Sequence, residues 1–269
     1  MNVDLTVNAN RFEGKANVSV YDTFRPKTPP DLITLIVQYL KRRPHHVIDI
    51  GCGSGLSTMG WLDQADRITC VEPSVDMLSA AKDRLEKSGK TVDFISAFAH
   101  NILLPGDCAD VITVSQAFHW MNPEPTIKEV QRLLKPGGLF VVYDCMWPPS
   151  CGVVLENAFI DLFDGILKIS KQQPKPLMHF WSKADHKSNI EKFGDFNFIK
   201  EVGFHQMKKG NADYFIGLAE SQGGLQALRK LGMSDEIIGW DAFREVVNSE
   251  IGEQDIQFGL HYQAIICVL

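Results

Sequence analysis

Two hydrophobic rhythms alternate along the first half of this chain. Short apolar or β-branched runs, VIDI at 47–50, RITCV at 67–71, TVDFI at 91–95, ADVITVS at 109–115 and LFVVYD at 139–144, are each bounded by turn-forming or charged residues, and this predicts strands. Between them the spacing is helical. LITLIVQYL runs from Leu32 and stops near Pro44, Met77, Leu78, Ala81 and Leu85 share one face of a helix over 74–87, and another helix is expected over about 125–134. A helix is also expected to begin at 57–62, after the first strand. Strands joined by helices of this length require a mostly parallel sheet covered on both faces.

The remainder reads differently. Residues 1–30 are polar and turn-rich and end in YDTFRPKTPP, where prolines delay the helix until Asp31 offers an N-cap. Beyond Asp144, MWPPS is a connector, 153–169 is an amphipathic helix and 171–190 is irregular and rich in aromatic and polar groups. A strand over 196–209, helices near 213–231 and 235–251, and a final strand, LHYQAIICVL, complete the pattern. The expected fold is a doubly wound α/β, Rossmann-like, mostly parallel seven-stranded sheet with a small, mainly helical cap. Its expected divisions are an N-terminal lid at 1–30, a nucleoside-binding core at 31–145, a cap at 146–195 over the carboxyl edge of the sheet, and completion of the core at 196–269.

Composition narrows the function. The 269 residues are 45% hydrophobic and 22% charged with a formal net charge of -6, so a nucleic-acid partner is not expected. The cysteines are scattered, with neither a CxxC pair nor a Cys/His ligand spacing, so they read as reduced thiols and no metal is expected. The start has no signal-peptide pattern and no window can span a bilayer; the expected location is the cytoplasm, without a membrane partner.

The chemistry gathers at VIDIGCGSG. Glycines at 51, 53 and 55 make a tight strand-to-helix loop, but a dinucleotide fingerprint would need glycine at 56, which is Leu56. Asp49 lies at the strand end beneath the loop, where it disfavours a pyrophosphate and favours an ammonium or sulfonium. Glu72, at the end of the second strand, is placed to accept hydrogen bonds from both hydroxyls of a ribose. S-adenosyl-L-methionine carries sulfonium, ammonium and ribose together.

VIDIGCGSG, CVEPS, AFAHN, ADVITVSQAFHWM and LLKPGGLFVVYD, in that order, resemble the class I S-adenosylmethionine-dependent methyltransferases, in particular the small-molecule branch typified by trans-aconitate methyltransferase; FEGKANVSVYDTFRPKTPPDL is similar to that branch too. The resemblance covers about 12–145. It implies S-adenosyl-L-methionine as cofactor and S-adenosyl-L-homocysteine as product, with Asp49, Gly51 and Gly53 holding the methionine moiety, Glu72 at the ribose and Pro73 among the cofactor-binding residues. It further implies Ser74 and Met77 on one side of the adenine, Ala99 and His100 on the other, Ser115 and Gln116 beside the sulfonium, and Tyr21 and Arg25 folded over the cofactor. Many relatives carry an acid or an amide where His100 stands.

Other candidates read both ways. His119 is a candidate general base or a structural histidine. Phe24, Trp120, Asp161, His179, Trp181 and Tyr214 are candidates for an acceptor pocket, or else packing and surface residues. The expected acceptor is a small molecule or a short peptide-like natural product, methylated at O or N. Two rival readings are a nicotinamide-dependent oxidoreductase and a non-catalytic nucleoside-binding module.

Overall fold

The computed structural model describes residues 4–10 and 15–269. It opens with α1 (Thr6–Asn10), α2 (Lys15–Phe24) and α3 (Pro30–Leu40), followed by β1 (His46–Ile50), β2 (Arg67–Val71), α4 (Val75–Leu85), β3 (Val92–Ile95), β4 (Ala109–Ser115), α5 (Pro123–Leu133) and β5 (Leu134–Cys145). The second half comprises α6 (Val153–Lys171), α7 (His186–Phe193), β6 (Phe198–Gly210), α8 (Ala212–Glu220), α9 (Gly223–Lys230), α10 (Asp235–Ile238), α11 (Trp240–Ile251) and β7 (Ile256–Val268). The strands form one seven-stranded sheet in the order β3-β2-β1-β4-β5-β7-β6. β1 to β5 pair in parallel, and β7 runs antiparallel to both of its neighbours.

Alternation within the strands divides the core between the two faces of the sheet. Val47, Val111, Leu139, Val141 and Ala264 pack with Leu32, Ile33 and Ile36 of α3 and with Trp61. Ile48, Ile112, Phe140, Val142 and Ile265 pack on the other face with Ile127 and Val130 of α5 and Ile190 of α7. Among the described residues no helix is long and apolar enough to cross a membrane.

Several expectations change. The segment before α3 carries two helices, and α2 finds packing partners in α8 and α4, while 25–29 stay irregular as the prolines require. Residues 1–3 and 11–14 of the expected lid lie outside the described residues. α3 starts at Pro30 with Pro29 at the cap, not at Asp31, since proline's fixed φ suits the first helical position. The helix expected at 57–62 is only a 3-10 turn over Thr58–Trp61. The helical stretch at 235–251 breaks at Gly239, which has φ +85°. Leu155, Phe159, Leu162 and Ile166 of α6 pack into one cluster with Phe215, Leu218, Leu225, Phe243 and Val247 and with Phe258 of β7, so α8, α9 and α11 pack against α6 as well as against the end of the sheet. α7, expected in the cap, lies against α5.

The amino edge of the sheet is fastened by one carboxylate. Asp110 is fully buried and accepts hydrogen bonds from Arg42 (2.7 Å), Lys135 (3.0 Å) and the backbone N–H groups of His45 and His46 (2.8 Å each). Burial alone would raise its pKa, but these donors outweigh it and hold the carboxyl well below the usual range. Its stabilising effect is present above the ordinary value of 3.8 and is lost as pH falls through the lowered one. Asp110→Asn is expected to cost about 1.5–3 kcal/mol in urea unfolding at pH 7, with the deficit shrinking in acid.

Candidate functional site

At the opposite, carboxyl edge of the sheet lies a cavity of about 340 Å³. Its floor is the loop after β1 and the ends of β2 and β4, the region where ligands sit in open α/β sheets. Gly51 turns the chain at φ +69°, and its N–H donates to Val71 O at 2.8 Å. Gly53, at φ +55°, directs its N–H to Glu72 Oε2 at 3.0 Å, and Ser74 N–H donates to Glu72 Oε1 at 2.9 Å. Each Glu72 oxygen therefore spends one acceptor site on the backbone and keeps another. Burial is the leading influence on this carboxyl and raises its pKa to about 7 in spite of the two N–H donors.

Asp49 does not line the cavity. Its carboxylate is fully buried and accepts hydrogen bonds from Ser57 Oγ (2.7 Å), Thr58 Oγ1 (2.7 Å) and Thr113 Oγ1 (2.9 Å). Burial raises its pKa against those three bonds. Three hydroxyls thus hold Asp49 beneath the glycine loop, two on Oδ2 and one on Oδ1, and Oδ1 keeps one acceptor site.

Gly51, Gly53, Glu72, Pro73, Met77, Ala99, His100, Ser115, Gln116, Tyr21 and Arg25 all line the cavity. Ser74 does not; it contributes its backbone N–H to Glu72. Arg25 is stacked between Tyr21 (4.9 Å to the ring centroid) and Trp147 (5.3 Å). Its guanidinium donates to Gln116 Oε1 (3.2 Å), Ser221 O (3.1 Å) and Gln222 Oε1 (2.9 Å). All three acceptors are neutral, and Nε is buried without a hydrogen bond. Burial pulls the Arg25 pKa down. Gln116 itself is held at φ +50°, an unusual backbone state for a residue with a side chain.

Of the expected acceptor-pocket residues only Trp120 faces the cavity. Phe24 packs beside Gly217 of α8, Tyr214 is buried in the cap cluster, and Asp161 is on the exposed side of α6. His179 meets α1 through its backbone, which Asn8 clamps at both N–H and C=O, and the Trp181 N–H donates to His119 O. The wall is instead built by Trp147, Phe163, Ile166, Leu167 and Met178. Burial pushes the thiols of Cys145, Cys151 and Cys267 up to about 12, which disfavours their thiolates.

His119 also lines the cavity, and its Nδ1 lies 3.7 Å from Asp144 Oδ1. Lys183 Nζ stands 2.7 Å from the same oxygen and His186 Nε2 3.5 Å from Oδ2. Burial would raise the Asp144 pKa, but His186, Lys183 and His119 together hold it well below the usual carboxylate range.

Residues 48–142 match the methyltransferase domain family. An uncharacterized methyltransferase of Mycobacterium tuberculosis is 33% identical over 121 residues, which is 45% of this chain and 47% of that protein. A Saccharomyces cerevisiae protein assigned as an S-adenosylmethionine-dependent methyltransferase is 27% identical over 131 residues, 48% of this chain and 45% of that one. The chain thus spans about half the length of the curated relatives it matches. A solved structure from Anaeromyxobacter dehalogenans, assigned to the type II methyltransferases, superimposes with a TM-score of 0.67 over 91% of this chain and 97% of that one at 19% identity, which shows a shared fold.

Proposed function

We propose, from a chain whose residues 48–142 are a methyltransferase domain on a class I sheet, that this protein transfers the methyl group of S-adenosyl-L-methionine to O or N of a small molecule with an apolar body. The observation that carries this reading is Glu72, a buried carboxylate at the end of β2 with one free acceptor site on each oxygen, directed into the cavity. That donor set fits a ribose diol. Arg25, whose guanidinium has only neutral acceptors among the described residues, fits the carboxylate of the same ligand. The antiparallel β7 lying between β5 and β6 also departs from the all-parallel order of dinucleotide dehydrogenases.

Bound here, the cofactor supplies a methyl group already activated on sulfur. The task left to the chain is to position the acceptor and exclude water, which can lower a barrier by about 7–11 kcal/mol. Gln116 and Ser115 mark the reacting end of the floor, and Trp120, Trp147, Phe163 and Ile166 enclose the acceptor's body in apolar surface. α2 serves as part of a lid: Asp22 accepts from Ser54 Oγ on the glycine loop and pairs with Arg84 of α4. A cytoplasmic setting suits the unbridged cysteines.

Incubation of the protein with methyl-labelled S-adenosylmethionine and fractionated cell extract tests the proposal. Label is expected in the small-molecule fraction; label confined to protein or RNA would overturn it. Arg25→Met is expected to raise the Kd for S-adenosylhomocysteine about tenfold or more, the loss of one charge-assisted contact.

A further inference from the structure

We propose that His119, Asp144 and His186 form a binding site for one divalent transition-metal ion, zinc or a first-row neighbour, at the acceptor end of the cavity. Three elements converge there: the 3-10 turn Phe118–Trp120, the end of β5, and the first residue of α7. His119 Nδ1, a carboxylate oxygen of Asp144 and a ring nitrogen of His186 lie within 4.8 Å of one another. The separations from Asp144 are 3.7 Å to His119 and 3.5 Å to His186. Ligands held at about 2.0–2.1 Å around one ion stand roughly 3.0–3.4 Å apart, so the two separations from Asp144 need to contract by a few tenths of an ångström and the widest separation in the set by up to about 1.4 Å, within reach of small side-chain rotations.

The second observation is His186 itself. It is 3% exposed, its ring is fixed edge-on by Phe118 at 5.0 Å, and neither ring nitrogen makes a hydrogen bond. A buried imidazole so placed needs a partner, and the Asp144 carboxylate stands 3.5 Å from its Nε2. Two imidazoles and one carboxylate select late first-row ions over magnesium or calcium, which prefer all-oxygen sets.

A cation already neutralises part of this cluster. Lys183 Nζ lies 2.7 Å from Asp144 Oδ1, but its side chain is 37% exposed and sits on the short turn Lys183–Asp185, from which it can swing outward. The ion and the ammonium therefore compete for one carboxylate. His119 and Lys183 both line the cavity, so an ion here would keep its open coordination positions toward the acceptor. The site does not depend on methyl transfer, and it gives His119 a ligand's role, distinct from the general-base and structural roles that its sequence leaves open.

The test is a titration of untagged, chelator-stripped protein with Co2+, followed by displacement with Zn2+. One equivalent is expected to bind with visible ligand-field absorption. Asp144→Asn and His186→Gln are each expected to weaken binding by at least about 100-fold, more than the loss of an outer-shell partner. Lys183→Met, a change on a partly exposed side chain, is expected to tighten it severalfold by removing the competing ammonium. S-adenosylhomocysteine binding reports whether each variant is folded and whether the separate methyltransferase reading stands. Absence of the cobalt band in both wild type and Lys183→Met would overturn the site, as would a band that Asp144→Asn and His186→Gln leave unchanged.

Discussion

Glu72→Gln is expected to weaken S-adenosylhomocysteine binding by about 30- to 1,000-fold, the equivalent of about 2–4 kcal/mol. Glutamine keeps the length of the side chain but loses the charge and replaces one acceptor oxygen with a donor. The Gly53 and Ser74 N–H groups, now 3.0 and 2.9 Å from carboxylate oxygens, would then compete with the ribose for a single acceptor. Calorimetric titration of both proteins at pH 8 measures the difference. An unchanged Kd would remove the ribose from this acid.

The same carboxyl gives a pH signature. Its pKa in the free protein is raised to about 7, chiefly by burial, and a diol donating two hydrogen bonds binds the ionised form. Below pH 7 the group must lose a proton before it can bind, so affinity is expected to fall by up to about tenfold per pH unit. In the unliganded protein the raised pKa has the reverse sense: its contribution to stability is fully present below 4.5 and is lost as pH rises through about 7. The gain in Tm produced by S-adenosylhomocysteine is therefore expected to be larger at pH 8 than at pH 6. Glu72→Gln should flatten both profiles.

Gly51→Ala is expected to destabilise the protein by about 2–5 kcal/mol, combining left-handed backbone strain with overpacking. A Cβ there would stand 2.7 Å from Ala117 Cβ and 2.9 Å from Met121 Cε. Ala117 has little freedom to retreat, because Gln116 N–H is bonded to Tyr143 O and Trp120 N–H to Ala117 O. Gly53 is the control. It too has positive φ, but a Cβ would meet nothing within 4 Å and would project from a residue that lines the cavity. Gly53→Ala is thus expected to lose less stability than Gly51→Ala and to lose ligand affinity all the same. Urea unfolding and calorimetry on the two variants separate the effects.

The parts of this protein that were legible from its residues are those where local pattern and tertiary role coincide. ADVITVS is apolar on both faces because β4 lies between β1 and β5, and its bounds of 109–115 are those observed. The place of Glu72, at the end of β2 and in the cavity lining, follows from the sequence because it closes an apolar strand. The bracing of Asp49 is not legible in the same way: the three hydroxyls that meet it come from positions 57, 58 and 113, and nothing in the local pattern announces that they converge.

The acceptor wall was hidden more thoroughly. Phe163, Ile166 and Leu167 follow helical spacing whether they face a core or a cavity, so periodicity cannot distinguish the two. Asn8 lies in a polar, turn-rich stretch with no periodic signal, yet it is 8% exposed and ties α1 to the backbone of Trp120 and His179. The group around Asp144 joins residues 119, 144, 183 and 186, and no ligand spacing runs through them. The backbone strain at Gln116 likewise had no sequence signal, since glutamine seldom marks a positive φ.

The measurement that bears most directly on the account is a pair of calorimetric titrations at pH 8, one with S-adenosylhomocysteine and one with NADH. A single equivalent of the first is expected to bind, more weakly when Glu72 is glutamine, with no heat from the second. Binding of NADH alone, or of neither nucleoside to folded protein, would contradict it.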